Sequence, residues 1–245
     1  MKIPKIIHYC WFGKGEKPKL LQNCMKSWNK LKKNGYKIIE WNEYNFDINE
    51  NKYTREAYKN KKWAFVSDYV RLKVLYDYGG IYLDTDMEIT QNLDEFLDEE
   101  MFMGFMVNCV LSTAIIGAIP KHNKVKKLIE LYDSIDLDYS TPNNDILTDF
   151  MLKHYEEFKL NNSFQKFKDI TIYPKEYFNN PTFIRSRNYS IHRYAGSWNK
   201  ESANKRSLKG NLVKIILGDV IYYRILSYKL NKNSPFHEIE IKQKS

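Results

Sequence analysis

Two aspartates, Asp84 and Asp86, stand one residue apart behind a short apolar run, Ile81-Tyr82-Leu83. If that run is a strand, alternate residues share a face and both carboxylates point the same way. Two carboxylates held that close repel each other unless a cation sits between them. Carboxylate oxygens are hard ligands, and the cations that suit them are Mg2+ and Mn2+. Diphosphate oxygens can complete the coordination of such an ion, which then neutralises charge building on a diphosphate leaving group. A bare Asp-x-Asp is a solvated turn far more often than a metal site. Its surroundings therefore carry the weight.

Those surroundings read as helix, glycine stop and strand. Ala64, Val66, Val70, Leu72, Val74 and Leu75 predict a mostly apolar helix beginning near Trp63. Ser67 and Asp68 fall in its first turns, and Arg71 lies three residues after Asp68 on the same face. Gly79-Gly80 ends the helix. The aspartates then sit at the end of a strand, where open α/β sheets bind ligands. Upstream, residues 5–11 read as a buried strand, residues 18–33 as a helix and residues 36–41 as a second strand. Strand-helix-strand order implies a parallel sheet. Downstream, strands are expected over 101–106 and 112–118, and helices over 123–134 and 144–158. Residues 171–173 and 189–194 read as extended, and residues 212–230 as a helix carrying Lys214, Arg224 and Lys229.

The 245 residues suit one large domain with a small appendage. The aromatic share is high, 15%, with 19 tyrosines and 5 tryptophans, which supplies core area and polar-edged rings. No stretch approaches the roughly 20 apolar residues of a membrane span, and no signal-peptide core follows the basic start. Cys10, Cys24 and Cys109 lack zinc-like spacing and read as buried free thiols in a reducing cytoplasm. The formal charge is +9, yet no Lys or Arg occurs between Val74 and Pro120, where nine carboxylates fall. An acidic centre in a basic protein suits a cation at the centre and phosphates or anionic lipid around it. The lysines are scattered and no nucleic-acid motif appears, so nucleic acid is not expected as a partner. A phosphodiesterase or nucleotide hydrolase would also use Asp84 and Asp86, but two-metal sites need more His and Asp ligands than are found. An inactive sugar-binding protein is the remaining alternative.

The string Ala64-Phe65-Val66-Ser67-Asp68-Tyr69-Val70-Arg71 with Tyr78-Gly79-Gly80-Ile81-Tyr82-Leu83-Asp84-Thr85-Asp86 resembles glycosyltransferase family 32. It is also similar to the glucosyltransferase domain of large clostridial toxins. The resemblance spans roughly residues 3–198. It implies a GT-A fold: a Rossmann-like α/β domain with a mainly parallel central sheet flanked by helices, over residues 1–205. Residues 206–245 would form a small, basic, helical C-terminal extension. It further implies a nucleotide-sugar donor, Mn2+ or Mg2+, and retention of anomeric configuration. Trp11, at the end of Ile6-Ile7-His8-Tyr9-Cys10-Trp11, matches a tryptophan that stacks on uracil; an indole face suits a base. The alternative reading of Trp11 is a core residue. Ser67, Asp68 and Arg71 match positions that contact donor sugar and diphosphate, and Gly80 joins them as a donor contact.

His192-Arg193-Tyr194-Ala195-Gly196-Ser197-Trp198 resembles the family's late segment. By that resemblance His192 joins Asp84 and Asp86 as a metal ligand, and Gly196, Ser197 and Trp198 lie near the donor phosphates. Asn143, Asn144 and Asp145 fall where relatives carry a polar residue facing the sugar. Asp68, Arg71, Asp84, Asp86, Asn144 and Asp145 are thus the candidate catalytic residues. The expected donor is UDP-galactose or UDP-glucose, with GDP-mannose the alternative. The expected acceptor is a saccharide or lipid-linked oligosaccharide, in capsule, exopolysaccharide or surface-glycan synthesis. Location is expected in the cytoplasm, on the inner face of the plasma membrane, with the basic tail docked on anionic lipid.

Overall fold

The computed structural model describes residues 2–135, 140–196 and 200–244, and the side chains of all of these except 200–213. The first strand, β1 (Ile6–Cys10), alternates its faces: Ile7 and Tyr9 enter one core, and Cys10 the other. The helix expected over 18–33 is in fact two, α1 (Lys19–Ser27) and α2 (Asn29–Lys33), broken at Trp28. The break buries the Trp28 ring and lets its Nε1 donate to the Met87 carbonyl at 2.7 Å. β2 (Lys37–Trp41) follows and pairs with β1 in parallel. An unexpected helix, α3 (Lys52–Lys59), starts where the Asn51 side chain accepts the Tyr53 and Thr54 amides.

The central helix, α4 (Trp63–Tyr78), is buried on most of its circumference, including Asp68 and Arg71. Gly79 ends it at φ 62° and Gly80 follows at φ 105°. A Cβ on Gly79 would lie 2.7 Å from the Pro120 nitrogen, and one on Gly80 2.6 Å from the Ile6 carbonyl. Both the left-handed backbone and the close approach require glycine here. The chain then enters β3 (Gly80–Leu83) and, after a turn, β4 (Met87–Ile89).

β5 (Met101–Val107) and β6 (Val110–Ala118) form an antiparallel pair with register shifts beside Gly104 and Phe105. α5 (Asn123–Ser134) and α6 (Asn143–His154) cover one face. β7 (Gln165–Lys166), β8 (Thr171–Tyr173), α7 (Lys175–Phe178) and β9 (Ser190–His192) follow. The main sheet runs β2-β1-β3-β6-β5-β8-β7. Five of its strands run one way, and β6 and β7 oppose them. α3 to α6 pack on one face, and α1, α2 and α7 on the other.

β4 and β9 form a separate antiparallel pair. The outer edge of β4 is covered at the α1–α2 break, where Ser27 Oγ accepts the Ile89 amide at 2.7 Å beside the Trp28 bond. The last helices, α8 (Lys200–Lys232) and α9 (His237–Lys244), complete the chain. α8 begins earlier than sequence patterning suggests and is broken at Gly218, whose φ of 75° and ψ of 162° are not helical. Its second half is tied to the domain: Asn231 Oδ1 accepts the Cys109 amide, and Phe236 enters the larger core. No helix among the described residues is long and apolar enough to cross a membrane. All three cysteines are buried free thiols.

His8 is sealed in the core. Its Nε2 donates to the Gly79 carbonyl at 2.8 Å and its Nδ1 accepts from Trp41 Nε1 at 3.0 Å, which defines a neutral tautomer. Burial lowers its pKa from 6.5 to about 4, against the bond to Gly79. Between those values the unfolded chain binds the proton and the folded one does not, so stability falls as pH drops. The stability that His8 lends is complete above pH 6.5 and gone once pH passes below 4; it amounts to about 3 kcal/mol. Urea titrations from pH 7 to pH 4.5 are expected to show a shallower loss in His8→Gln, which keeps a donor and an acceptor. Equal slopes in both proteins would contradict this role.

Candidate metal and donor site

β1 and β3 are parallel neighbours, so Trp11 and Asp84 leave the sheet at the same edge. Asp84 and Asp86 do not lie in a strand. They occupy a turn closed by the Met87 amide on the Asp84 carbonyl at 3.0 Å, so a turn rather than strand alternation brings them together. The Asp84 amide is held by the Ala114 carbonyl of β6 at 2.8 Å. The Asp84 carboxylate accepts the Tyr82 hydroxyl at 2.9 Å and lies 3.4 Å from the Arg71 guanidinium.

β9 delivers His192 by pairing it with Met87, next to Asp86. His192 Nε2 lies 3.2 Å from Asp86 Oδ2. One ligand atom each from Asp84, Asp86 and His192 falls within 4.8 Å of the others. Burial opposes charge on both partners, yet His192 holds Asp86 below its usual carboxylate range and Asp86 holds His192 above its own. His192 Nδ1 is buried with no hydrogen-bond partner. A buried imidazole with one nitrogen unpartnered and the other 3.2 Å from Asp86, in a cluster that includes Asp84, fits a cation-binding set of hard oxygens and one nitrogen.

The backbone after His192 wraps Asp86. The Arg193 amide donates to the Asp86 carbonyl at 3.0 Å, and the Ala195 amide to Asp86 Oδ2 at 2.9 Å. Tyr194 is held at φ 49°, its ring 4.2 Å from that of His192, and Gly196 follows at φ 64°. Ser197 and Trp198 lie outside the described residues. Arg193 bridges Glu88 and Asp219, which fastens this segment to β4 and α8.

Arg71 is buried, and each of its three nitrogens makes a hydrogen bond. Nε reaches the Ser67 carbonyl at 3.2 Å, one terminal nitrogen the Thr113 carbonyl at 2.8 Å, and the other Asp68 Oδ1 at 2.8 Å. It therefore fastens α4 to β6 and to both acidic residues. Asp68 Oδ1 also accepts Asn143 Nδ2 at 2.9 Å, and Asn143 in turn accepts the Tyr132 hydroxyl. Burial lifts the Asp68 carboxyl to about 7 against the pull of Arg71, with Asp84 nearby adding to the rise and Asn143 opposing it.

Other sequence candidates are placed differently. Asn144 Oδ1 accepts both the amide and the hydroxyl of Thr113 at 2.8 Å, so its amide shapes β6 beside Arg71. Asp145 turns to another side of α6, into a groove shared with Tyr53, Pro142 and Phe236. Gly80 stands at the far end of β3 from Asp84, where its glycine is required by Ile6. Ser67 donates to the Trp63 carbonyl at 3.1 Å. Trp11 is half-buried on the smaller core, its Nε1 donating to the Gly15 carbonyl at 2.7 Å and Lys17 lying 5.1 Å from its ring. Sequence reasoning gave Tyr82 and Thr113 no role, and placed Asn143 only within the polar run it forms with Asn144 and Asp145. Tyr82 carried a signal, since it lies two residues before Asp84, close enough for its hydroxyl to reach that carboxylate.

Residues 18–103 match the family described as the glycosyltransferase sugar-binding region containing a DXD motif. Over this stretch the chain is similar to glycosyltransferases. The stretch holds Ser67, Asp68, Arg71, Asp84 and Asp86 and ends before His192. An uncharacterized glycosyltransferase of Acanthamoeba polyphaga mimivirus is 32% identical over 134 residues, 49% of this chain and 51% of that protein. The mannosyl phosphorylinositol ceramide synthase of Saccharomyces cerevisiae is 29% identical over 105 residues, 40% of this chain and 28% of that one. The chain thus spans about half the length of the viral relative and less of the yeast one. Among solved structures, the PaToxG glycosyltransferase superposes with a TM-score of 0.50 at 15% identity, over 63% of this chain and 70% of that one. The fold is of the GT-A kind, with helices added at its C-terminal end.

Proposed function

We propose that this protein moves a hexose from a nucleotide-diphosphate sugar to a saccharide acceptor, with retention of anomeric configuration. The observation that carries the reading is the Asp84–Asp86–His192 cluster at the edge of the sheet, two of its members inside the DXD region. Those three residues would hold Mn2+ or Mg2+. When bound, the ion would supply Lewis-acid stabilisation of the leaving diphosphate.

The chain's own residues position the reactants. Asp68 is fixed by Arg71 and Asn143 through Oδ1, so its Oδ2 is the atom offered to sugar hydroxyls. Arg71 acts through Asp68 and Asp84 and is a positioning residue. The backbone at Tyr194 to Gly196 would take the diphosphate near the cluster, and Trp11 the base. No described residue is assigned as a nucleophile; the proposed substitution proceeds on one face, with the leaving diphosphate oxygen accepting the acceptor hydroxyl's proton. The indole favours UDP-galactose or UDP-glucose. A GDP-mannose donor is the second reading, favoured by the similarity to a mannosyl-transferring yeast synthase. A role in capsule or surface-glycan synthesis in the cytoplasm follows the family resemblance.

The test is release of nucleotide diphosphate from a panel of sugar nucleotides, with Mn2+ and with chelator. One donor, or a pair sharing one base, is expected to be hydrolysed slowly without acceptor, and chelation to stop it. Turnover unaffected by chelator would remove the metal, and no release from any donor would remove the activity.

A further inference from the structure

The second half of α8 has two faces. Tyr223, Ser227 and Asn231 are buried against the domain, and the Tyr223 hydroxyl donates to the His192 carbonyl at 3.0 Å. Ile221, Ile225 and Tyr228 recur at helical spacing on the opposite side and are exposed, Tyr228 to 69%. Two neighbours extend this stripe. Beyond the break at Gly218 stand Ile215 and Ile216, exposed to 80% and 69%. Beside it the 183–187 segment brings Phe183 and Ile184, also exposed, with the Arg224 guanidinium 5.5 Å from the Phe183 ring. Exposed apolar side chains gathered on one helix face and on the segment beside it mark a surface that meets something.

The charges say what. Arg185, Arg187, Arg224, Lys229 and Lys232 are exposed around the stripe. Between residues 214 and 232 the single carboxylate is Asp219, which is paired with Arg193 at 2.8 Å. Long basic side chains flanking an apolar stripe lower their stems beside it and offer their heads to phosphate. A second copy of this chain would fit badly, because a two-fold contact sets this patch against itself and brings like charges together.

We propose that this patch docks the protein on an anionic lipid bilayer. The stripe enters the headgroup boundary, and the arginines and lysines meet lipid phosphates. The buried face of the same helix holds His192, so docking sets the metal and donor site about one helix diameter, roughly 10 Å, above the lipid. An acceptor carried on a lipid would be presented there.

The test is flotation of the full chain with vesicles of phosphatidylcholine alone and of phosphatidylcholine with phosphatidylglycerol. It needs neither donor nor metal, so its outcome is independent of the catalytic reading. Wild type is expected to float with the phosphatidylglycerol vesicles, less so in high salt. Two variants, Ile221→Ser with Ile225→Ser and Tyr228→Ser, and Arg185→Ala with Arg187→Ala, should each lose on the order of tenfold in binding. Thermal melts confirm that each is folded. Wild type that stays with the soluble fraction, or folded variants that float as wild type does, would overturn the proposal. A dimer in solution that the apolar variant dissolves, without vesicle binding, would assign the face to a second copy instead.

Discussion

Asp86→Asn is expected to abolish metal-dependent donor hydrolysis and transfer alike, by about a thousandfold, while the fold persists. The asparagine side-chain oxygen still accepts the Ala195 amide, now 2.9 Å from Asp86 Oδ2, so the wrap of residues 193–196 keeps its anchor. What disappears is a negative charge and a hard ligand between Asp84 and His192. The lost pairing with His192, 3.2 Å away, costs about 1–2 kcal/mol. Circular dichroism and a urea titration should therefore show a folded, slightly weakened protein. The decisive readout is nucleotide diphosphate released with Mn2+ present. Full activity in this variant would discard the assignment of the site.

Arg71→Met should carry the largest stability loss of any single change near the site, about 3–5 kcal/mol. Its side chain holds Asp68, the Ser67 and Thr113 carbonyls and Asp84 together in the interior, and methionine satisfies none of them. The sharpest cost falls on Asp68, whose carboxyl burial already lifts to about 7 with the arginine in place. Without that partner the folded-state value rises further above its unfolded value near 4. The folded protein then binds a proton that the unfolded chain does not, so the variant loses stability as pH rises. Its decline should extend to higher pH than that of wild type, the reverse of the His8 effect. Adding Asp68→Asn should recover about 2 kcal/mol at pH 8, because the uncompensated charge is gone. A double variant whose cost equals the sum of the two single costs would contradict the coupling.

Much of this site could be read before any coordinates. The short motif, the double glycine and the apolar helix are local, and local periodicity and glycine stops survive in the fold. The bounds of α5 and β8 agree with sequence patterning for the same reason. The Asp84–Asp86 geometry was read through the wrong element, since one-residue spacing looks alike in a strand and in a turn. His192 had no local signal, only the family resemblance, because its position depends on the distant pairing of β4 with β9, Met87 against His192. Arg71 showed its partner three residues away, but its bond to the Thr113 carbonyl depends on where β6 lies. The two arms of α6's first turn were inseparable in sequence: Asn143 turns to Asp68, whereas Asp145 faces a groove closed by Phe236. α3 was missed although Asn51 caps it, because its few apolar residues are tyrosines and one alanine.

The whole reading depends on where a divalent cation binds. Crystals equilibrated with Mn2+ and a uridine diphosphate would locate it by anomalous scattering. The account predicts a single strong peak between the carboxylates of Asp84 and Asp86 and the imidazole of His192, with diphosphate oxygens completing the shell. A peak elsewhere, or none, with those three side chains left as a hydrogen-bonded cluster, would contradict it.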